Sequence, residues 1–492
     1  MSLLFHGFKI FQRLTLHNFH EKLFNIRRVL KRVSESRVSE YREEIVNGPI
    51  VRTFFRLGIP PLINQLIAVA YNVLDALWLS IYNDLAVSVP RQVWPVIFLF
   101  NAPMQALTTV GMSTISQYIG MKDYREAEIS ASKLLTMASS LGMFLSISLF
   151  SLRSFIFSQV IGTPEEIAGW VMDYSAIMSV NILLNYIVFS YNTVLQAIGD
   201  TKRPAIINAF AVSVNTVLDP FLVLGIPPFP RTGVIGAALT DVLGSIISLV
   251  LLSSLLRKYE LRIGFTSLGW DWIKLSIKIG FPVFIMASMN SLAFIAQLRL
   301  VNAFSIVAVT AYSIGFVVAD IADAALFGLV SASSIMIGQN LGAGNLNRAK
   351  EISLKAAASV FSLLVLGILL VYPLRIGIVR AFTEDASIIG ETDKFLQYLL
   401  PTLPFFGLFM IGMSAGRGSG RTLTPTIIGI FRLWVVRIGL GYFLSLSMGV
   451  MGIWISISLS NLLAGVAALI WLIYGNWNRP VIRRGEFEVS TT

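Results

Sequence analysis

Twelve long apolar stretches constrain this chain more than any other feature. They fall near residues 54–81, 92–119, 130–152, 168–197, 204–226, 233–256, 272–303, 306–338, 353–374, 388–414, 423–447 and 450–474, divided by charged or turn-forming residues. A helix needs about 20 apolar residues to cross a bilayer, and each stretch is that long. Only 13% of the residues are charged, against about 25% in an ordinary soluble domain. An all-α polytopic membrane protein of twelve transmembrane helices is therefore expected. Its spans and connections consume residues 49–475, which leaves no room for a large extramembrane domain, so any function must be built inside the helix bundle.

Composition narrows the chemistry available there. Cysteine is absent, and the histidines, His6, His17 and His20, all precede the first span. Disulfides, thiolate nucleophiles, Cys-based metal sites and buried imidazoles are thereby excluded, and no enzyme activity is expected. A nucleotide-driven pump would need a phosphate-cradling Gly-Lys sequence, and no Gly-Lys pair occurs. The glycine-rich run from Gly338 to Gly344 follows a long apolar helix and precedes a basic loop, which suits a helix C-terminal cap better than a dinucleotide loop. An ion gradient remains as the energy source. No cofactor and no nucleic-acid partner are expected.

Charge in the loops sets the orientation. The even-numbered connections and their edges carry fourteen Lys and Arg, among them Lys122, Lys202, Arg203, Arg348 and Arg421; the odd-numbered ones carry six, with Glu165, Glu166, Glu384 and Asp385 nearby. Basic loops stay cytoplasmic, so a multi-pass protein of the cell membrane with both termini cytoplasmic is expected. Residues 1–48 form a separate basic extension in which Phe8, Phe11, Phe19, Leu23, Ile26, Leu30 and Val33 repeat at mostly helical steps. That pattern suits an amphipathic helix on an anionic membrane surface. Residues 258–271 read as a linker between two lobes, 49–257 and 272–475, and residues 476–492 as a cytoplasmic tail.

The division into lobes comes from an internal repeat. A shift of 222 residues carries Gly58 and Pro60 onto Gly280 and Pro282, and Gln117, Gly120, Ala127 and Lys133 onto Gln339, Gly342, Ala349 and Lys355. Later the shift becomes 221, where Gly199 and Pro204 meet Gly420 and Pro425. Six spans is an even number, so both copies enter the bilayer from the same side and are related by a pseudo-twofold axis along the membrane normal. Two six-helix lobes facing a central cleft are expected.

Few charges lie deep in the spans: Asp75, Asp219, Asp241, Asp320 and Asp323, with Arg299, Arg432 and Arg437. A carboxylate at that depth costs about 2.5 to 3.5 kcal/mol on insertion scales, so it is normally kept for a proton, an ion or a partner. A structural ion pair such as Arg437 with Asp320 is the alternative. Asp75 falls opposite Gln297 in the second repeat and Asp219 near Leu440, so an ion site would be asymmetric and belong to the first lobe.

Ordered short motifs add a family resemblance. Asn47-Gly48-Pro49-Ile50 leads to Leu57-Gly58-Ile59-Pro60, then Asn72-Val73-Leu74-Asp75-Ala76-Leu77-Trp78. Gln117-Tyr118-Ile119-Gly120, Leu195-Gln196-Ala197-Ile198-Gly199-Asp200-Thr201 and Asn215-Thr216-Val217-Leu218-Asp219-Pro220 follow. With Gly338 to Gly344, residues 46–475 resemble a multidrug and toxic compound extrusion transporter of the archaeal and DNA-damage-inducible branch. The resemblance implies export of cytotoxic, often cationic organic molecules in exchange for protons or sodium ions. It also implies a first-lobe cation site at Asp75, Tyr174, Asn192, Asn215, Asp219 and Thr240, with Asp75 and Asp219 able to share a proton or hold sodium. Pro60 is expected to act as a hinge, since proline inside a helix removes a backbone hydrogen bond.

The second lobe departs from that family pattern. Asp320 and Asp323 follow Val317, Val318 and Ala319 where a glutamate or arginine is common in the family. They lie three apart on one helix face, as candidates for the substrate cleft. A flippase for a lipid-linked sugar or another amphipath has the same two-lobe plan and is the second functional reading; a cleft rich in basic residues would favour it. A monomer is expected, with small organic substrates and the lipid bilayer as partners.

Overall fold

The computed structural model describes residues 37–83, 85–259 and 261–482. Twelve helical segments joined by short connections account for nearly all of them. In chain order they are α1 (Ile50–Tyr82), α2 (Ser88–Gly120), α3 (Tyr124–Ile161), α4 (Glu165–Ile198), α5 (Lys202–Leu224), α6 (Val234–Lys258), α7 (Trp270–Asn302), α8 (Ile306–Gly342), α9 (Leu346–Arg380), α10 (Ala386–Ser419), α11 (Leu423–Met448) and α12 (Val450–Tyr474). Eleven are each long and apolar enough to cross a membrane; α8 is continuous over 37 residues, with apolar arms Ile306–Asp320 and Leu326–Gly342. Burial runs in the membrane sense. Leu369, Leu370, Phe443 and Leu446 are exposed, while Gln117, Gln339, Asn340 and Ser333 are buried between helices. The run from Gly338 to Gly344 ends α8 as expected, with Gly344 at φ +81°.

Packing repeats between the halves. In the first lobe α1 packs on α5, α2 on α3 and α4, α4 on α3 and α6, and α5 on α6; adding six to every number gives the pairs of the second lobe. The lobes meet where α1 packs on α8, α7 on α2, and α2 on α8. A two-fold axis demands that set of contacts. Small residues permit the close approach. A Cβ on Gly58 would come within 2.7 Å of the Leu329 side chain on α8, and one on Gly280 within 3.3 Å of Ala106 on α2. At the C-terminal ends of α2 and α8 the two backbones touch. A Cβ on Gly120 would lie 2.9 Å from the Gln339 carbonyl carbon, and one on Gly342 2.7 Å from that of Gln117. Gln117 Nε2 donates to the Gly418 carbonyl at 3.1 Å and Gln339 Nε2 to the Ala197 carbonyl at 2.8 Å. This end of the interlobe seam is sealed.

Chain from outside the twelve helices reinforces the seal. A short helix over residues 37–47 lies across it, with Val38, Ile45 and Val46 buried. Arg42 donates through Nε and Nη2 to the Gly120 carbonyl at 3.0 and 2.8 Å. Asn340 donates to the Ile45 carbonyl at 3.2 Å, and Arg348 bonds the Gly48 carbonyl. On the other side Gln117 Oε1 accepts from the Val481 and Ile482 amides at 3.0 and 3.3 Å, and Trp477 is buried. The apolar positions Phe8 to Val33, the three histidines and the last ten residues lie outside the described residues.

The repeat changes register again inside α11. The offset between halves is 221 residues at Pro204 and Pro425, yet it is 222 at Leu222 and Leu444, whose backbones a Cβ on Gly236 and one on Gly452 would respectively strike. The second half therefore holds one extra residue in α11. It is absorbed where Phe431–Leu440 winds as a π-helix, whose i→i+5 bonds accommodate an inserted residue within an α-helix.

Candidate functional site

In the first lobe, helix period gathers polar groups from four segments. Tyr71 and Asp75 are four apart on α1, as are Asn215 and Asp219 on α5, so each pair shares a face. Thr240 and Asp241 come from α6 and Tyr174 from α4. Asp219 and Thr240 are fully buried, and Tyr174 and Asn215 are 2% and 5% exposed. Asn215 Nδ2 donates to the Tyr71 hydroxyl at 2.9 Å and to Asp241 Oδ1 at 3.0 Å, and Tyr71 donates to the same Asp241 oxygen at 3.1 Å. Asp241 thus has two donors. Thr240 Oγ1 sits 2.5 Å from Asp219 Oδ1 and 2.7 Å from the Ala237 carbonyl. Its single proton can serve only one of those acceptors.

Three acceptor oxygens in this cluster, Asp75 Oδ1, Asp219 Oδ2 and Asn215 Oδ1, are buried without any hydrogen-bond partner. Buried polar atoms are normally satisfied because desolvating them costs about 1 to 3 kcal/mol each. The three carboxylates are near enough to act electrostatically on one another and on both tyrosines. Such a set can accept a proton, or offer carboxylate, amide and hydroxyl oxygens to a small hard cation. Among the described residues, no group of three His, Cys, Asp or Glu side chains forms a metal-binding cluster, so sodium here would draw on the amide and hydroxyl oxygens.

Five of the six residues expected at this site, Asp75, Tyr174, Asn215, Asp219 and Thr240, come together. Asn192 stands elsewhere: it is 18 residues beyond Tyr174 on the same helix, about 27 Å along its axis, and accepts from Asn208 Nδ2 at 3.0 Å. Tyr71 and Asp241 join the cluster without having been expected in it. Tyr71 is one turn before Asp75, and Asp241 adjoins Thr240; those spacings were the available signals. Pro60 and Pro61 both lie inside α1, which runs through them as one helix.

A cavity of about 830 Å³ lies between the lobes, lined by Asp75, Arg91, Asp320, Asp323, Phe406 and Met410 among others. The expected second-lobe acids thus border the same cavity as Asp75 of the cation cluster. The ion pair of Arg437 with Asp320 does not form. Arg437 instead donates to Ser460 Oγ at 3.1 Å and Asn461 Oδ1 at 2.9 Å, while Arg432 donates to the same Asn461 oxygen at 3.0 Å. Nor is Leu440 the counterpart of Asp219. Beyond the extra residue in α11 that place falls to Gly441, whose Cβ position lies 2.6 Å from Ser456 Oγ as Asp219 touches Thr240.

This architecture matches known proteins along its length. The MatE family model matches twice, over residues 60–221 and 282–443, one match per lobe. A probable multidrug resistance protein, YoeA, of Bacillus subtilis is 26% identical over 83% of this chain and 89% of its own. An FAD transporter of Shewanella oneidensis is 26% identical over 87% of this chain and 95% of its own. Among solved structures, the outward-facing conformation of a multidrug resistance MATE family transporter superposes with a TM-score of 0.80 at 20% identity, over 87% and 96% of the two chains. MATE in the bent conformation gives 0.81 at 20% identity, over 88% and 96%. With the family model covering more than half of the residues in two matched halves, this chain belongs to the multidrug and toxic compound extrusion family of membrane transporters and is not an enzyme.

Proposed function

We propose that this protein exports organic compounds, cationic ones among them, in exchange for protons or sodium ions, and that the first-lobe cluster is the coupling site. The observation that carries the proposal is the adjacency of that cluster to the interlobe cavity. Asp75 belongs to both: it lines the cavity and holds one of the three unpartnered buried oxygens. Neutralising the cluster with an entering cation removes negative charge beside the cavity and weakens its hold on a cationic compound. The relatives named for multidrug resistance support the same direction.

Orientation follows from the loop charges. The sealed ends of α2 and α8 adjoin basic loops and would face the cytoplasm, so the cavity, which reaches Arg91 at the start of α2, would face outside. Asp75 is 15 residues from Pro60, about 22 Å along α1, so a charge change at the site can be relayed to bending near the proline hinge. The protein would work as a monomer in the cell membrane, with both termini inside. A flippase for a lipid-linked sugar gains little support from the cavity, whose lining pairs three acids with the one arginine Arg91.

The test is uptake of a fluorescent organic cation in proteoliposomes under separately imposed proton and sodium gradients. Counterflow against one of the two gradients is expected, and its loss in Asp75→Asn and Asp219→Asn. Cation movement indifferent to both gradients would overturn the exchange mechanism.

A further inference from the structure

The repeat makes the second lobe a second copy of the first-lobe site, and its chemistry there is inverted. Across the 222-residue offset Asp75 becomes Gln297, Asn215 becomes Arg437 and Asp219 becomes Gly441; beyond a connection six residues shorter, Ser456 takes the place of Thr240 beside it. Carboxylates have gone and a guanidinium has arrived. Arg432 lies five residues before Arg437, and in the π-helical segment Phe431–Leu440 a step of five residues returns to the same face. Both arginines consequently reach one acceptor, Asn461 Oδ1, at 3.0 and 2.9 Å.

Two positive charges sharing one neutral oxygen in a bilayer call for an anion. Neither arginine is in an ion pair among the described residues, although Asp323 is near enough to feel both. Arg432 is 6% exposed and its Nε is buried with no partner. Two other donors are in the same condition, the Tyr312 hydroxyl, which interacts electrostatically with Arg437, and Gln297 Nε2. The first-lobe cluster has unpartnered acceptors; this one has unpartnered donors. Arg432 lies 4.9 Å from the ring of Phe406, which itself lines the interlobe cavity. Phe409 packs on the same guanidinium at 5.1 Å, so Arg432 is held between two rings, one of which borders the cavity.

We propose that Arg432 and Arg437, with Asn461 holding them side by side, form a binding site for an oxyanion, a carboxylate or a phosphate, reached from the interlobe cavity past Phe406. Paired guanidiniums recognise such groups through charge-assisted, two-pronged hydrogen bonds. This inference deepens the transporter reading and rests on it: with Asp320 and Asp323 lining the same cavity, the transported compounds would include zwitterions that bear an amine and an acid. The same chemistry would also hold an anionic lipid headgroup.

Binding to the purified full-length protein in detergent distinguishes these sources without any ion gradient, so the result is independent of whether transport is coupled. The probes are rhodamine B, a zwitterion at neutral pH, and its ethyl ester, a cation of nearly the same shape. Fluorescence anisotropy should show the free acid binding at least tenfold more tightly, with the preference abolished in Arg432→Gln and Arg437→Gln and binding of the ester kept. Absence of a preference, together with phosphatidylglycerol retained by the wild type and lost by both variants in native mass spectrometry, would assign the oxyanion to a lipid. Equal binding of the two dyes with no arginine-dependent lipid overturns the site. If the glutamine variants are not monodisperse, the wild type decides: millimolar phosphate should displace the acid but not the ester, and failure to displace it, with no lipid retained, is equally fatal.

Discussion

A hydroxyl with one proton and two acceptors gives Thr240 its meaning. One of its contacts, to Asp219 or to the Ala237 carbonyl, lacks a hydrogen unless Asp219 brings its own, whereas Asp241 is served by Tyr71 and Asn215. The two carboxylates should therefore divide the work. Asp219→Asn is expected to abolish ion-driven efflux while leaving the protein folded. Tyr71→Phe takes a donor from Asp241 and an acceptor from Asn215, a loss of about 1 to 2 kcal/mol by ordinary hydrogen-bond values, or roughly tenfold in ion affinity. Isothermal titration with sodium and with pH steps would measure both, and an unchanged affinity in Tyr71→Phe would remove Asp241 from the site. Asp75 and Asp219 were legible in the sequence because a carboxylate in an apolar span has a cost that needs a reason. Tyr71 was not, because tyrosine sits comfortably on many helix faces and acquires its role only when α1 comes against α5 and α6.

At the scale of the helix, α1 carries its own weakness. Pro60 and Pro61 offer no amides to the carbonyls of Arg56 and Leu57, a turn earlier, yet the helix continues through them and packs against α8. Pro60→Ala restores one bond. Transport should slow with substrate affinity nearly unchanged, and wild-type turnover would reject the hinge. The start of α10 offers a pH-dependent counterpart. Asp385 caps it, accepting from the Ser387 and Ile388 amides at 2.8 and 3.3 Å and from the Ser387 hydroxyl at 2.5 Å. The Ser387 hydroxyl, followed by the two amides, holds this carboxyl below the usual carboxylate range. A depressed value means stability that is present above the unfolded-state pKa and lost as pH falls through the folded one. The melting temperature of Asp385→Asn should thus lie below wild type at neutral pH and converge with it in acid; parallel curves would show that the cap contributes nothing.

For the whole molecule, the seal at the ends of α2 and α8 is the feature that selects this state. Gly342→Leu would drive a side chain into the Gln117 backbone, so spin labels at Lys122 and Asn345 should report a wider separation than in the wild type. An identical distance would mean that the contact does not govern the conformation. Twelve spans and two lobes could be read from the sequence because hydropathy and a constant offset are properties of position along the chain. The straps at either terminus could not, since Arg42 meeting Gly120 and Gln117 meeting Val481 depend on how the ends fold back. The fate of Arg437 was hidden for a different reason. One inserted residue turns everything after it by about 100° around the helix, until the π-segment and the loop that follows restore the alignment. The halves thus differ in two ways at once: in side chains, where Gln297, Arg437 and Gly441 stand for Asp75, Asn215 and Asp219, and in register, which sets where those side chains are presented. Removing one residue between Arg432 and Arg437 would restore an ordinary helical winding and swing the two guanidiniums off their common face, while every other second-lobe side chain kept its identity.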